Sequence, residues 1–191
     1  MSKGRKFDID VPTIVSLRHV GDTNKNYAFS IPIGDMFTGT TDSGKLFGTP
    51  LFIGRTTKIS DMGIVVTTYQ AGGLARIGIY GDNGNGQPGA LIKAVAELDC
   101  SSNGLKTAAA NVILSPNLYW LAFQANNSSI SFRVANFLSI VFGFDNGGAD
   151  GFYSPVWRMT RSYGALPDPF GTPDASQLGT AVVLAKLEKF S

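Results

Sequence analysis

From Thr57 onward the chain is cut at nearly regular intervals by turn-forming residues, and the segments between the cuts are short apolar runs. The runs span 59–69, 75–80, 91–98, 106–114, 118–125 and 130–134. Several short strand-like runs at such spacing, separated by turn signals, predict an all-β chain folded as an antiparallel sandwich or barrel. The strongest cut is Gly81-Asp82-Asn83-Gly84-Asn85-Gly86-Gln87-Pro88-Gly89. Gly and Asn tolerate positive φ there and Pro88 pre-sets a turn angle, so the segment must be a loop.

The other segments fill in around this framework. Tyr27, Phe29, Ile31 and Ile33 alternate with the period of two that turns one strand face inward, and a Gly/Thr/Ser stretch follows over 34–48. These features predict an irregular lead-in followed by a first strand, dividing the chain into an N-terminal arm with the first strands over 1–50, used for attachment or intersubunit contact, and a β-sandwich over 51–191. Ser115-Pro116-Asn117 suits a short turn, so the runs on either side of it are expected to pair. Residues 145–151 form another exposed loop, and Pro167 and Pro169 keep 165–170 extended or turned. A last strand is expected over 180–187. Residues 90–98 are good helix formers and the pattern alone does not settle them, but their spacing fits a sheet meander better than a lone crossover helix.

Composition narrows the chemistry. There is one His, His19, and one Cys, Cys100. A zinc centre built on Cys and an intrachain disulfide are therefore arithmetically excluded. Any Ser or Cys nucleophile would have to use His19 as its base, and no G-x-S-x-G elbow accompanies it. Cys100 has no neighbouring His or Lys in sequence to lower its thiol pKa. A net charge of +2 with only 16% charged residues gives nucleic-acid binding no compositional support. No apolar run of 7–15 residues follows the basic start, so no secretory signal is expected. No stretch approaches 18 uninterrupted apolar residues, so no membrane insertion is expected either.

Two letter patterns invite cofactor readings. Gly84-Asn85-Gly86-Gln87-Pro88-Gly89 spells G-x-G-x-x-G, but a dinucleotide site needs the loop to open a helix within a βαβ series, with an acidic residue about 20 positions on. Those features are missing, and a hairpin loop is the plainer reading. Asp82, Asn83 and Asn85, and separately Asp145, Asn146 and Asp150, supply oxygen ligands of the kind Ca²⁺ prefers, but neither set follows the calcium-loop spacing. No cofactor is expected.

Aromatic residues are unevenly spread. Phe137, Phe142, Phe144, Phe152, Tyr153, Trp157, Tyr163 and Phe170 fall within 34 positions, in a chain holding 13 Phe, 6 Tyr and 2 Trp. Beyond core packing, rings in Gly-rich loops can bury against another subunit or stack on sugars. Tyr153, Trp157, Tyr163 and Phe170 are accordingly candidate partner or glycan contacts. Lys3, Arg5 and Lys6 form a basic tip that could dock on an acidic surface of a larger assembly.

Taken together, Ala75-Arg76-Ile77-Gly78-Ile79-Tyr80, then Asp82 to Leu91, then Leu118-Tyr119-Trp120-Leu121-Ala122-Phe123, then Gly164-Ala165-Leu166-Pro167-Asp168-Pro169-Phe170, resemble in order and spacing a jelly-roll module of tailed-bacteriophage virion structural proteins. The resemblance covers about residues 50–187, and its most specific piece is the Ala-Leu-Pro-Asp-Pro-Phe segment. It implies a two-sheet jelly roll with a strand over 90–98, set in a virion, often as a homotrimer among other virion proteins, with no catalytic residues. A capsid decoration, cement or head-fibre role follows from it. The alternative is a tail-associated receptor-binding module, contacting host surface polysaccharide through Tyr153, Trp157 and Tyr163. Assembly in the host cytoplasm fits the absence of an export signal.

Overall fold

The computed structural model describes residues 27–28, 33–137, 156–177 and 179–188. The strands are β1 (Tyr27–Ala28), β2 (Ile33–Thr40), β3 (Lys45–Ile53), β4 (Thr57–Thr68), β5 (Leu74–Asp82), β6 (Pro88–Asp99), β7 (Gly104–Leu114), β8 (Asn117–Ala125), β9 (Ser131–Phe137), β10 (Val156–Thr160), β11 (Ala175–Gln177), β12 (Gly179–Ala181) and β13 (Leu184–Glu188). Every pairing is antiparallel.

Eight of these strands form a jelly roll. The chain crosses between two sheets at every step from β2 to β9 except β5–β6, and this gives the order β2-β9-β4-β7 against β3-β8-β5-β6. The expected all-β sandwich is thus borne out, and residues 90–98 lie within β6. The later strands extend this frame. β10 adds to β3 and carries β11 at the edge of the second sheet. β4 and β9 pair only at Val66–Phe132 and Thr68–Ser131; beyond those rungs β13 pairs with β4 and β12 with β9.

Two apolar layers hold the sheets. Alternation along the strands sends Phe47, Leu51 and Ile53 of β3, Ile77 and Ile79 of β5, and Leu121 and Phe123 of β8 toward Ile64 and Val66 of β4 and Phe132 of β9. Phe123 bridges the sheets, its ring meeting Phe132 edge-on at 5.0 Å. The intervening residues of the second sheet, Leu46, Tyr80, Trp120 and Ala122, are also buried, because a strap over 161–170 crosses its outer face and lays Phe170 on them. A strand covered on both faces reads as a continuous apolar run, and this accounts for the unbroken stretch from Leu118 to Phe123.

The Gly/Thr/Ser stretch over 34–48 holds most of β2 and the start of β3. Their glycines mark close approach: a Cβ on Gly39 would sit 2.9 Å from Val134, and one on Gly48 would sit 2.8 Å from Pro88. Three expectations need correction. The division at 50/51 falls inside β3, which pairs with both β8 and β10, so the sandwich begins before it. The runs flanking Ser115-Pro116 do not pair with each other; β7 pairs with β4 and β8 with β3 and β5, so this turn carries the chain between sheets. Finally, the closing strand over 180–187 is broken at Val182–Val183, where the chain passes from β9 to β4 and Val182 N–H donates to Arg133 O. Of the expected strand over 27–33, residues 29–32 lie outside the described residues.

Candidate functional site

The strap carries Tyr163 and Phe170, two of the sequence-predicted aromatic residues, over the outer face of the second sheet. Arg161 N–H donates to Gly44 O, and the buried Gln124 amide donates to the carbonyls of Arg161 and Ser162 at 2.9 and 3.1 Å. Further along, Tyr80 Oη donates to Pro167 O at 2.8 Å, Leu91 N–H to Asp168 Oδ1 at 3.0 Å, and Phe170 N–H to Gly89 O at 2.9 Å. Burial pushes the Tyr80 hydroxyl far above its ordinary pKa, against the opposing pull of Arg161, so it serves as a donor throughout the accessible pH range. The Ala-Leu-Pro-Asp-Pro-Phe segment is therefore a clamp.

The predicted contact residues separate under this geometry. Phe170 is fully buried, edge-on to Tyr80 at 5.1 Å, and presents no face to a glycan. Trp157 is half-buried against the outer apolar layer, with Nε1 donating to Gly86 O at 2.7 Å. Tyr163 lies at the other end of the β5–β6 hairpin, where its hydroxyl donates to Glu97 Oε2 at 2.8 Å. Arg76 and Asp82 mark the two ends of that hairpin, six residues apart on β5. At about 3.3 Å per residue the ends are separated by roughly 20 Å. Trp157 and Tyr163 therefore do not form one stacking platform. Tyr153, Lys3, Arg5, Lys6 and His19 lie outside the described residues, as do Asp145, Asn146 and Asp150.

The Gly-rich loop is an ordinary hairpin connection. Asp82 Oδ2 accepts from Gly84 N–H at 2.7 Å, Asn83 Oδ1 from Asn85 N–H at 2.8 Å, and Asp82 Oδ1 from Trp120 Nε1–H at 3.0 Å. Oxygens of the kind calcium would take are spent on holding the turn and anchoring the buried indole. Among the described residues no three His, Cys, Asp or Glu side chains come close enough to hold a metal ion. G-x-G-x-x-G opens into β6, so it offers no helix N-terminus to a pyrophosphate. Cys100 is buried, and desolvation raises its thiol to about 11, which leaves it a small core residue. No helix among the described residues is long and apolar enough to cross a membrane.

Two residues that sequence reasoning did not single out complete the Tyr163 end. Arg76 Nη2 meets Glu97 Oε2 at 2.6 Å, and the guanidinium carbon lies 5.5 Å from the centre of the Tyr163 ring. Burial raises the Tyr163 hydroxyl well above its ordinary pKa, and its bond to Glu97 adds to the rise. Beside this cluster the hairpin and the strap enclose an open depression of about 160 Å³, lined by Arg76, Glu97, Ala94, Ala96, Ala165 and Leu166 among others. Comparison of the chain with protein-family models, with curated proteins and with solved structures found no match.

Proposed function

We propose that this chain is a non-enzymatic structural protein of a tailed-bacteriophage particle, present in many copies as homo-oligomers and seated on the capsid as a decoration, cement or head-fibre module. One observation carries the reading: the segments that bear the family resemblance are the ones that fasten the jelly roll together. Asp82 anchors Trp120, Asp168 holds the Leu91 amide, and Phe170 fills the outer apolar layer. Side chains committed in this way hold the two sheets and the strap together. Sparse charge, at 16% of residues, suits close packing of many copies because repulsion between like surfaces stays small.

Co-sedimentation with purified tail-less shells, followed by labelling of intact particles, tests the proposal. Saturable binding to shells and label distributed over the head are expected, with a free protein of about three times 20.3 kDa as the resemblance implies. Label confined to the tail tip would overturn the placement on the capsid, and turnover of a host polysaccharide would overturn the non-enzymatic role.

A further inference from the structure

We infer that the depression between β5–β6 and the strap is a subsite for a single neutral pyranose, read by the Arg76–Glu97 pair and not by aromatic stacking. A guanidinium and a carboxylate in contact at 2.6 Å cancel each other at long range, so neither an anion nor a cation is drawn in. At short range the pair places N–H donors beside carboxylate acceptors, the arrangement that adjacent hydroxyls of a sugar can satisfy together. Both bonds to Glu97 fall on Oε2, from Tyr163 and from Arg76, and Oε1 takes no hydrogen bond among the described residues. Tyr163 thereby acts as a positioning residue: its hydroxyl fixes the carboxylate and its ring lies against the guanidinium, which covers one of its faces.

Size and lining point the same way. A volume of about 160 Å³ is well under the ~300 Å³ at which pockets for drug-sized ligands begin. It accommodates one ring. Ala94 and Leu166, which line the same depression, supply apolar surface for the C–H face of the ring. Leu166 is itself held in place where Gly78 has no side chain. The inference goes beyond the architectural role and does not depend on where the copies sit on the particle.

Titration of the full-length ¹⁵N-labelled protein with methyl α-mannopyranoside, methyl β-glucopyranoside and methyl β-galactopyranoside tests it. At least one should shift the amides of 75–78, 94–97 and 165–166 and saturate with a Kd on the order of 1–10 mM, the range open to so small a ligand. Ala94→Leu should fill the depression and abolish those shifts while leaving the unfolding midpoint near that of the wild type. Glu97→Gln should weaken binding by roughly tenfold, one acceptor charge being lost. Absence of shifts with all three glycosides, unchanged affinity in A94L, or preferential binding of inorganic sulfate would each overturn the subsite, and none of these results bears on shell binding.

Discussion

Gly78 shows how a single missing side chain can decide where a whole segment rests. It lies on β5 where Leu166 of the strap comes down, and a Cβ there would also stand 2.8 Å from Lys93 O on the neighbouring strand. The carbonyl belongs to a paired backbone and cannot swing aside, so Gly78→Ala has to displace the strap or spread the hairpin. We expect a loss of about 1–3 kcal/mol, the cost of overpacking, measured as a lower urea midpoint with an unchanged slope. Gly84, by contrast, has φ +88° with nothing near its absent side chain, so its requirement is conformational. In the sequence the two positions look alike.

Strand pairing sets the electrostatics of the second sheet's edge. β10 ends at Thr160 opposite Lys45 of β3, and the chain returns through Asp174 to lay β11 beside β10. The hydroxyl of Thr160 donates to Asp174 Oδ2, as does its backbone N–H at 2.6 Å; Lys45 and Arg158 lie at 4.0 and 3.8 Å. The bond from the Thr160 hydroxyl leads these influences in holding the Asp174 carboxyl below its ordinary 3.8, against the opposing effect of partial burial. A carboxyl depressed in the folded state contributes stability above its unfolded pKa and loses it as pH falls through the folded value. Asp174→Asn should therefore flatten the decline in stability below about pH 4, read from urea midpoints at pH 6 and pH 3. An equally steep decline in the variant would show that Asp174 has no part in it.

At the scale of the molecule, the jelly roll and its strap share strands, since β3, β5 and β8 bury one face in each apolar layer. Trp120 sits in the outer layer and Phe123, three positions along the same strand, in the inner one. Loss of one layer exposes half of every shared strand, so the two should melt together. Thermal unfolding followed by tryptophan fluorescence and by far-ultraviolet circular dichroism should give coincident midpoints, as a cooperative domain requires. An earlier fluorescence transition would mean that the strap detaches as a separate unit.

The class of fold and the identity of most strands are legible in the amino-acid order, because alternation and turn chemistry act over a few neighbouring residues. From β4 through β9 the apolar runs lie within the strands that form, to within a residue at their ends, and 165–170 is neither helix nor strand, as its prolines require. Which strands meet depends on packing between segments far apart in the chain. Ser115-Pro116 has the chemistry of a hairpin turn, yet it joins different sheets, because burying both faces of β8 demanded a different partner. The pairing of Arg76 with Glu97 was hidden for a related reason: from the rung Asp82–Pro88, six residues along β5 answer to nine along β6, the excess being taken up by register shifts. Bulges relieve strain between layers that are distant in the chain, and no local pattern records them.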